Sequence, residues 1–597
     1  MNTAQLRARA FFLNCRVRQW SCSNIHFAPS HNRQFRRHPE DGAPRSRIEI
    51  FRPYYVTSPI FYVNAEPHAG HLYTLILTDV LKRWQVLKGD AQAALLTGTD
   101  EHGMKVQKAA EKLHIPPKEL CDKNAQQFLQ LAEKANVSLD RFIRTTDADH
   151  KVAVEHFWRE LKKRGYIYES KHEGWYSVSD ETFYPETQVH LILDPATGRK
   201  LHASKETGKE VEWTSETNYH FRLSAFKDRL LEHYDQHPEF IVPTERMNFI
   251  KKEVEAGLQD LSVSRPSSRL QWGIRVPDDD TQTIYVWLDA LINYLTMTGY
   301  PSGEGDKHKL WPPNVQVIGK DIVRFHTIYW PAFLMALDIP LPRCFLTHAH
   351  WTMGKAKMSK SLGNGVNPFF AIERYGLDTI RYFMVYAGGI VNDADYDNSF
   401  IVENYKKGLQ DGLGNLLARI TRGNWNIAES IKVVNENHSE ASLWQPVEKL
   451  IKQIDWTANT TDLRMVRYAN PRDALHTIVH LIFETNRFLA VAEPWKLVKL
   501  EDSESKARLH QVVYAATEAA RVACILLQPF MPDKMQKALD QLQVAPERRS
   551  FEHAKYKKDI SYAATVSQDI QASRRRGWKR IKDAHDKVLF PPLIAEF

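Results

Sequence analysis

Cysteine is scarce in this chain of 597 residues, which contains only five. No two of them form a Cys-x-x-Cys pair, and this spacing argues against both a disulfide framework and a four-cysteine zinc site. Thiols that stay unpaired fit a reducing compartment. The five positions are Cys15, Cys22, Cys121, Cys344 and Cys524.

The chain also lacks a long hydrophobic run. No stretch of about 18 or more apolar residues occurs, which argues against a membrane-spanning helix. The length instead requires several hydrophobic cores, because roughly 100 to 200 residues make one domain. We therefore expect about three or four domains in a protein that does not cross a membrane.

Acidic residues are missing from the first 39 positions, which contain seven arginines and no lysine. These arginines account for most of the net charge of +8, so the remaining chain is nearly neutral and does not resemble a uniformly basic nucleic-acid binder. An Arg-rich, acid-free segment with scattered apolar residues is typical of a mitochondrial transit peptide. We predict a removable presequence over residues 1–45 and a location in the mitochondrial matrix. The alternative is a disordered basic arm that contacts RNA.

Strand and helix patterns alternate at the start of the remaining chain. Residues 50–63 form an apolar, β-branched run that predicts a buried strand, and apolar residues at three- and four-residue spacing over 72–87 predict a helix. A second strand is predicted over 93–97. Strand, helix and strand in this order begin a parallel nucleotide-binding sheet. Residues 50–164 are therefore predicted to form the first half of a Rossmann-type domain.

The rest of the chain divides into three patterns. Turn residues cluster over 165–282, which we interpret as a connective insertion that ends in a strand-like run over 283–288. A second strand and helix pattern over 283–350 completes the sheet. Helical spacing of apolar residues predicts an all-α domain over 400–597. The expected fold is α/β, with a Rossmann-type parallel sheet split by the insertion and followed by the helical domain.

The segment His68-Ala69-Gly70-His71 lies between the first predicted strand and its helix. Free amide groups and the helix dipole favour phosphate at such a position. Gly70 would let a nucleotide approach the backbone, and two imidazoles could donate hydrogen bonds to a phosphorus centre as it gains charge. The alternative is that the two histidines only cap the helix.

The segment Lys357-Met358-Ser359-Lys360-Ser361 lies in a loop rich in glycine and lysine. A mobile loop suits a site that must close, and its ammonium groups could stabilise departing pyrophosphate. A solvated charged loop is the alternative. Together with the histidine segment, this loop predicts one site that activates ATP.

The two segments resemble the HIGH and KMSKS signatures of class I aminoacyl-tRNA synthetases, with Ala69 in place of a bulkier aliphatic residue. Four further segments resemble the methionyl-tRNA synthetase family, and the resemblance extends from about residue 54 to residue 532. It implies that residues 351–399 hold the KMSKS loop and a stem-contact region. The four segments are PIFYVN at 59–64, GTDEHG at 98–103, YVWLDA at 285–290 and GKDIVRFH at 319–326.

The resemblance also implies roles for individual residues. A polarisable thioether suits aromatic walls and an ammonium group suits a carboxylate, although core packing is the alternative for Ile60 and Trp287. The implied catalytic residues are His68, His71, Lys357 and Lys360. The implied methionine-binding residues are Ile60, Asp100, Trp287, Tyr294, Phe325 and His326. The implied ATP-binding residues are Tyr62, Asn64, His68, Gly70, His71, Gly319, Asp321 and Lys360.

In the predicted helical domain, the resemblance implies that Asn415, Arg419 and Trp495 read a CAU anticodon. An amide and a guanidinium can bond to base edges, and an indole can stack on a base. Taken alone, an Asn and an Arg one helical turn apart are more often surface residues. The basic tail at 574–580 could touch a phosphate backbone or form a solvated helix face.

Metal sites are expected to be few. Many relatives carry zinc-binding cysteine pairs in the insertion, but residues 175–180 and 193–213 contain no cysteine, so we predict no structural zinc. His476 and His480 share a helix face without a third ligand, which favours core or surface histidines. Mg²⁺ is expected on the phosphates of ATP.

The sequence therefore predicts an enzyme that joins L-methionine to ATP and passes the methionyl group to mitochondrial tRNA-Met. We expect a monomer, because the roughly 65 residues after Pro532 contain no recognisable dimerisation domain. The alternatives are a cysteinyl-, leucyl- or valyl-type synthetase, a synthetase-like RNA-binding protein without catalysis, and a small nucleotidyltransferase. The absence of cysteine ligands for zinc argues against a cysteinyl-type synthetase, and the short insertion argues against the leucyl and valyl types.

Overall fold

A computed structural model describes most of the chain after the predicted presequence. It covers residues 52–178, 182–193, 198–303, 309–357, 365–436, 443–564, 566 and 588–593. The presequence predicted over 1–45, Lys360 of the KMSKS loop and the basic tail at 574–580 lie outside the described residues.

The first half of the sheet follows the predicted strand, helix and strand order. The first strand carries alternating apolar residues that are buried on both faces, and the next helix buries a nearly continuous apolar surface. The elements are β1 (Tyr55–Tyr62), α1 (Ala69–Leu87), β2 (Ala94–Asp100), α2 (Met104–Leu113), α3 (Pro117–Lys134), β3 (Arg141–Arg144) and α4 (Ala148–Lys163).

The region predicted as an insertion is built mainly from antiparallel strands, two of which pair over ten residues from Ile167↔Phe221 to Tyr176↔Glu212. Its elements are β4 (Ile167–Ser177), β5 (Thr182–Tyr184), β6 (Val189–Leu193), β7 (Lys200–Ser204), β8 (Glu212–Phe221), α5 (Lys227–Gln236), β9 (Ile241–Val242), α6 (Thr244–Ala256), β10 (Leu261–Ser262), β11 (Ser264–Pro266), β12 (Arg275–Val276) and β13 (Asp279–Ile284).

The second half of the sheet departs from expectation at its start. The strand-like run over 283–288 ends as a strand at Ile284, and a helix begins at Val286. All six residues of this helix are buried, so no amphipathic period distinguishes it from a buried strand. The elements are α7 (Val286–Leu291), α8 (Asn293–Thr296), β14 (Val315–Gly319), a π-helical turn (Phe325–Tyr329), α9 (Trp330–Ala336) and β15 (Phe345–His348).

The central sheet has six parallel strands in the order β3-β2-β1-β14-β15-β9. The strand order reverses between β1 and β14, which is where doubly wound sheets bind ligands. The edge strand β9 comes from the region predicted as an insertion and pairs with β15 through Ile241↔Phe345. A two-residue strand gives too little sequence pattern to be predicted. Apolar residues of the sheet alternate between two cores, with Val56 in one and Tyr55 in the other.

Among the described residues after β15, the chain is helical apart from one small sheet, and the predicted helical region after the central sheet is confirmed. Among the helices of the described ranges, none has the length and apolarity that a bilayer crossing requires. The remaining elements are β16 (Trp351–Met353), β17 (Ala356–Lys357), α10 (Pro368–Tyr375), α11 (Leu377–Ala387), β18 (Ala394–Asp395), α12 (Asn398–Asn404), a π-helical segment (Tyr405–Gly414), α13 (Asn415–Thr421), α14 (Ile427–Glu436), α15 (Gln445–Val466), α16 (Pro471–Ala492), α17 (Pro494–Leu497), α18 (Ser503–Leu527) and α19 (Pro532–Gln541).

Candidate active site

The predicted site residues of the α/β domain gather at the carboxyl ends of β1, β2 and β14. Tyr62 and Asp100 are neighbours in the pairing of β1 with β2, and Gly319 ends β14 on the other side of β1. This edge includes the point at which the strand order reverses. The parallel sheet therefore brings together segments that are distant in sequence.

His68 and His71 form the start of α1. The backbone N–H of Gly70 donates to His68 Nδ1 at 3.1 Å, and the backbone N–H of His68 donates to His71 Nδ1 at 3.1 Å. The rings stack with centroids 3.8 Å apart. Because both Nδ1 atoms accept, each neutral ring carries its proton on Nε2. The helix cap thus fixes a tautomer in which both Nε2 atoms are donors.

Gly70 is required by the His68 ring. A Cβ at position 70 would lie 2.9 Å from His68 Cε1 and 3.1 Å from His68 Nδ1. The close approach that glycine permits is therefore between the helix backbone and an imidazole of the same motif. Access of a nucleotide to this backbone, which the sequence predicted, remains a proposal.

The segment after the KMSKS loop touches the start of α1. The backbone N–H of Ala69 donates to the carbonyl of Val366 at 3.2 Å. Before the loop, Lys357 lies in β17, where it is opposite Thr352 of β16. Before the loop, the described residues therefore form the antiparallel pair of β16 with β17. After the loop, they contact the histidine segment.

Asp321 follows β14 and faces the strand that leads to the KMSKS loop. A Cβ at Gly319 would lie 2.7 Å from Asp321 Oδ1, so glycine lets this carboxylate fold back against the strand end. Asp321 Oδ1 lies 3.2 Å from His350 Nε2. The backbone N–H of His350 in turn donates to Asp393 Oδ1 at 2.9 Å. On the β1 side, Asn64 is exposed and Tyr62 is half-buried.

An aromatic cluster lies between α7 and the π-helical turn, where the methionine pocket was predicted. Trp287 stacks on Phe325 with centroids 3.8 Å apart and planes 9° apart. Tyr62 and His326 meet Trp287 edge-on at 6.3 Å and 6.0 Å. Ile60, on the same strand as Tyr62, is partly buried and packs against the larger hydrophobic core that includes Trp287. Apolar and polarisable walls of this kind suit an aliphatic or thioether side chain.

His326 is neutral in this pocket. Burial lowers the pKa of His326 to about 4. Its Nδ1 lies 3.0 Å from the carbonyl of Ile322 and must donate to it, so Nε2 accepts from the Tyr294 hydroxyl at 2.8 Å. Burial also raises the pKa of Tyr294. The pocket therefore presents polar atoms without a net charge.

Asp100 lies at the end of β2 with 2% of its surface exposed. The side chains of the next two residues, Glu101 and His102, each have a hydrogen-bond partner. Glu101 accepts from Arg144 Nε at 2.5 Å, and His102 Nδ1 lies 2.6 Å from Asp289 Oδ2. Asp100 and His102 belong to the GTDEHG segment, and Asp289 belongs to YVWLDA.

The sequence did not single out Glu101, Arg144, His102 or Asp289, which the structure places beside Asp100 or α7. One signal was available. Glu101, His102 and Asp289 are charged or titratable residues within the GTDEHG and YVWLDA segments, which are otherwise buried. Buried polar groups need partners, so such residues predict a contact. Their partners lie too far away in sequence to be identified from it.

The residues predicted to read an anticodon are neighbours in the helical domain. Asn415 Nδ2 donates to Asn486 Oδ1 at 3.3 Å, and Arg419 Nη1 donates to the Asn486 carbonyl at 3.1 Å. The Arg419 guanidinium lies 5.2 Å from the Trp495 ring centroid. The indole is 41% exposed. Asn486, which joins the other two, was not predicted.

The two histidines of α16 have separate surroundings. His476 Nε2 lies 2.9 Å from the carbonyl of Tyr386, and its ring stacks on Tyr386 at 4.1 Å. The His480 side chain is 59% exposed beside Glu484. Within the described ranges, no three His, Cys, Asp or Glu side chains form a group that could hold a metal ion.

Comparison with known proteins agrees with this geometry. The family described as tRNA synthetases class I (M) matches residues 54–421, and the chain is 54% identical over 519 residues to a probable mitochondrial methionine–tRNA ligase of Neurospora crassa, covering 86% of this chain and 83% of the relative. The chain belongs to the class I tRNA synthetases of the methionine type.

Other relatives of this family extend the comparison. A probable mitochondrial methionine–tRNA ligase of Schizosaccharomyces pombe is 45% identical, with 84% of this chain and 92% of the relative covered. The solved structure of Mycobacterium tuberculosis methionyl-tRNA synthetase in complex with methionyl-adenylate matches with a TM-score of 0.77 at 38% identity, covering 86% of this chain and 98% of that one. The family resemblance that the sequence predicted is confirmed.

Proposed function

We propose that this chain is a methionine–tRNA ligase that activates L-methionine with ATP and transfers it to mitochondrial tRNA-Met. The observation that carries the proposal is the convergence at one sheet edge of an aromatic pocket, a buried carboxylate and two imidazole donors. These three features match the three parts of the first reaction. The names of the relatives support the same activity.

In the first reaction, the methionine carboxylate attacks the α-phosphate of ATP and pyrophosphate leaves. One C–O–P linkage forms while the bond between the α- and β-phosphates breaks, so no covalent enzyme intermediate is required. His68 and His71 donate from Nε2 to the phosphate oxygens as these gain charge. The nucleotide substrate is MgATP, whose Mg²⁺ is held mainly by phosphates and water. Lys360 acts on the leaving pyrophosphate, and Lys357 supports the KMSKS loop.

Methionine recognition divides between charge and shape. Asp100 holds the α-ammonium group, and a buried carboxylate makes such a contact stronger than a contact in water. Ile60, Trp287, Phe325 and His326 surround the thioether, with Tyr294 fixing His326. Tyr62, Asn64, Gly70, Gly319 and Asp321 contact the nucleotide in this proposal.

In the second reaction, a hydroxyl of the terminal ribose of the tRNA attacks the methionyl carbonyl, and AMP leaves. The helical domain selects the tRNA, with Asn415 and Arg419 bonding to base edges and Trp495 stacking on a base. The mitochondrial relatives and the arginine-rich leader support a location in the mitochondrial matrix. We also propose that the enzyme acts as a monomer without structural zinc.

The proposal is tested by amino-acid-dependent exchange of pyrophosphate into ATP, measured on the purified protein with each of the twenty amino acids. Methionine alone should support rapid exchange. Exchange with cysteine, leucine or valine in its place would assign a different synthetase, and exchange with none of the twenty would leave an RNA-binding protein without catalysis.

A further inference from the structure

A chain of buried hydrogen bonds runs behind the aromatic pocket. His102 Nδ1 lies 2.6 Å from Asp289 Oδ2, and Asp289 Oδ1 lies 2.8 Å from His150 Nε2. His150 Nδ1 lies 3.1 Å from Thr296 Oγ1. None of these four residues is more than 4% exposed. The chain therefore joins the loop after β2 to α7, α4 and α8 without contact with solvent.

Asp289 is the charged centre of this chain. Burial acts to raise its pKa, but the charges of His102 and His150 and the hydrogen bonds from both rings outweigh burial and lower the pKa of Asp289 to about 2. An ionised carboxylate only accepts hydrogen bonds. His102 Nδ1 and His150 Nε2 therefore both donate to it, and charge-assisted bonds of this kind are short and strong.

Each end of the central bond lies two residues from a group that contacts methionine in the proposed function. His102 follows Asp100 by two positions, and Asp289 follows Trp287 by two positions within α7. Side chains two positions apart point to opposite sides of a helix. Trp287 therefore faces Phe325, while Asp289 faces the buried hydrogen bonds to His102 and His150. A shift of the carboxylate would thus move the indole.

Asp100 ends β2, and the loop that follows it is held by further contacts. Glu101 is bonded to Arg144, and its carbonyl accepts from Trp272 Nε1 at 2.5 Å. The backbone N–H of Gly103 donates to the carbonyl of Trp272 at 3.1 Å. From this anchored loop, the hydrogen bond of His102 to Asp289 reaches α7.

We propose that His102 and Asp289 are positioning residues for amino-acid recognition, whose hydrogen bond holds the end of β2, which carries Asp100, at a fixed distance from the aromatic wall formed by α7. This inference rests on the proposed function, because it assigns Asp100 and Trp287 to the two ends of methionine. A small displacement of a positioning group is enough to reduce catalysis strongly, by up to about 100-fold for a shift of 1 Å.

Two substitutions weaken or abolish this hydrogen bond. Asp289→Asn keeps the shape and removes the charge, and His102→Ala removes the donor. Each should raise the KM for methionine roughly 10-fold or more while the KM for ATP changes less than about twofold. His102→Asn returns an N–H near the position of Nδ1 and should recover much of the methionine affinity. Steady-state pyrophosphate exchange measures both constants.

A ligand without the ammonium group separates positioning from general loosening. In the wild type, methionine should bind far more tightly than 4-(methylthio)butanoate, which lacks only the amino group. Misplacement of Asp100 in His102→Ala should reduce this preference by roughly 10-fold, measured as the ratio of the inhibition constant of the analogue to the KM of methionine. An unchanged ratio would overturn the proposal.

Glu518→Gln provides a matched control. Glu518 is 0% exposed and paired with Arg521 in α18 of the helical domain, so its substitution disturbs a buried ion pair outside the pocket. It should lower the Tm and leave the KM for methionine unchanged. The proposal is overturned if the control raises this KM as much as Asp289→Asn does, or if both His102→Ala and Asp289→Asn bind methionine like the wild type. A wild-type protein that shows no methionine-dependent exchange would instead refute the proposed function.

Discussion

At the scale of single residues, the two histidines at the start of α1 serve two roles that can be separated. His68 Nδ1 caps the helix by accepting from Gly70, and its Nε2 is the donor that the proposed reaction uses. A capping role alone was the alternative that the sequence left open. Asparagine distinguishes the two, because its Oδ1 can replace Nδ1 as acceptor while nothing replaces Nε2.

His68→Asn should therefore keep the Tm within about 2 °C of the wild type. The helix cap is preserved, and a single substitution that removes no buried contact has a small effect on stability. The rate of methionyl-adenylate formation should fall by about 10² to 10³, as expected for one lost donor to a developing charge. Differential scanning calorimetry and pyrophosphate exchange measure the two quantities. A wild-type exchange rate together with an unchanged Tm would assign the histidine to capping alone.

His326 makes stability depend on pH. Its pKa is lowered by burial to about 4 in the folded protein, against about 6.5 in an unfolded chain. Between these values the unfolded state binds more protons, so the free energy of unfolding falls as the pH is lowered from about 6.5 to about 4, by up to about 3 kcal/mol for this one group.

His326→Gln removes this titration. Its free energy of unfolding should decline less than that of the wild type between pH 6.5 and pH 4.5, with the difference between the two declines reaching about 2 kcal/mol. Urea unfolding at several pH values measures it. Parallel declines in wild type and variant would show that His326 does not titrate as described.

At the scale of elements, Gly70 in the first turn of α1 lowers the stability of the helix and leaves room for the His68 ring. Glycine near the first turn of a helix is less favourable than alanine by roughly 0.5 to 1 kcal/mol, yet a Cβ at Gly70 would lie 2.9 Å from His68 Cε1. The helix tolerates the glycine because the His68 ring needs the space. The motif thus accepts a local loss of stability in order to place an imidazole.

Gly70→Ala should accordingly leave the Tm unchanged or slightly raised and lower the rate of pyrophosphate exchange roughly 10-fold or more, because the His68 ring must move. The two changes have opposite signs, which a general loss of folding cannot produce. An active variant with the wild-type rate would show that the ring position is not critical.

At this scale, the strands and helices predicted from the sequence can be compared with those of the structure. β1, α1, β2 and β14 follow their sequence patterns closely, because each is long enough to show a period or a continuous buried run. α7 was predicted as a strand because all of its residues are buried, and β9 exists only because it pairs with β15. The family motifs located the predicted pocket residues, but Glu101, His102 and Asp289 became visible only through partners distant in sequence.

At the scale of the whole molecule, a buried arginine links α1 to α11 and to the helical domain. Arg381 of α11 donates from Nη2 to Asp79 of α1 at 2.6 Å, and both side chains are 0% exposed. The same guanidinium donates to the carbonyls of Pro529 and Phe530, just after α18, at 2.8 Å and 3.1 Å. A planar group with five N–H donors suits such a junction, and lysine could not make all these contacts.

Arg381→Met should lower the free energy of unfolding by about 3 to 5 kcal/mol, because it leaves a buried carboxylate and three carbonyls, those of Ala135, Pro529 and Phe530, without this donor. Urea unfolding measures the change. Lys407→Met provides the control, since the ion pair of Lys407 with Glu403 is exposed and such pairs contribute about 0 to 1 kcal/mol. Equal effects of the two substitutions would contradict the role of Arg381 as a buried junction.

In the proposed function, methionine activation belongs to the sheet edge and tRNA choice to the helical domain of one chain. The most direct test is aminoacylation of mitochondrial tRNA-Met by the purified protein, in parallel with the same tRNA carrying an anticodon other than CAU. We predict rapid methionylation of the CAU form and a loss of about 10² or more in kcat/KM for the altered form, with pyrophosphate exchange unchanged. Charging of neither tRNA, or equal charging of both, would contradict the account.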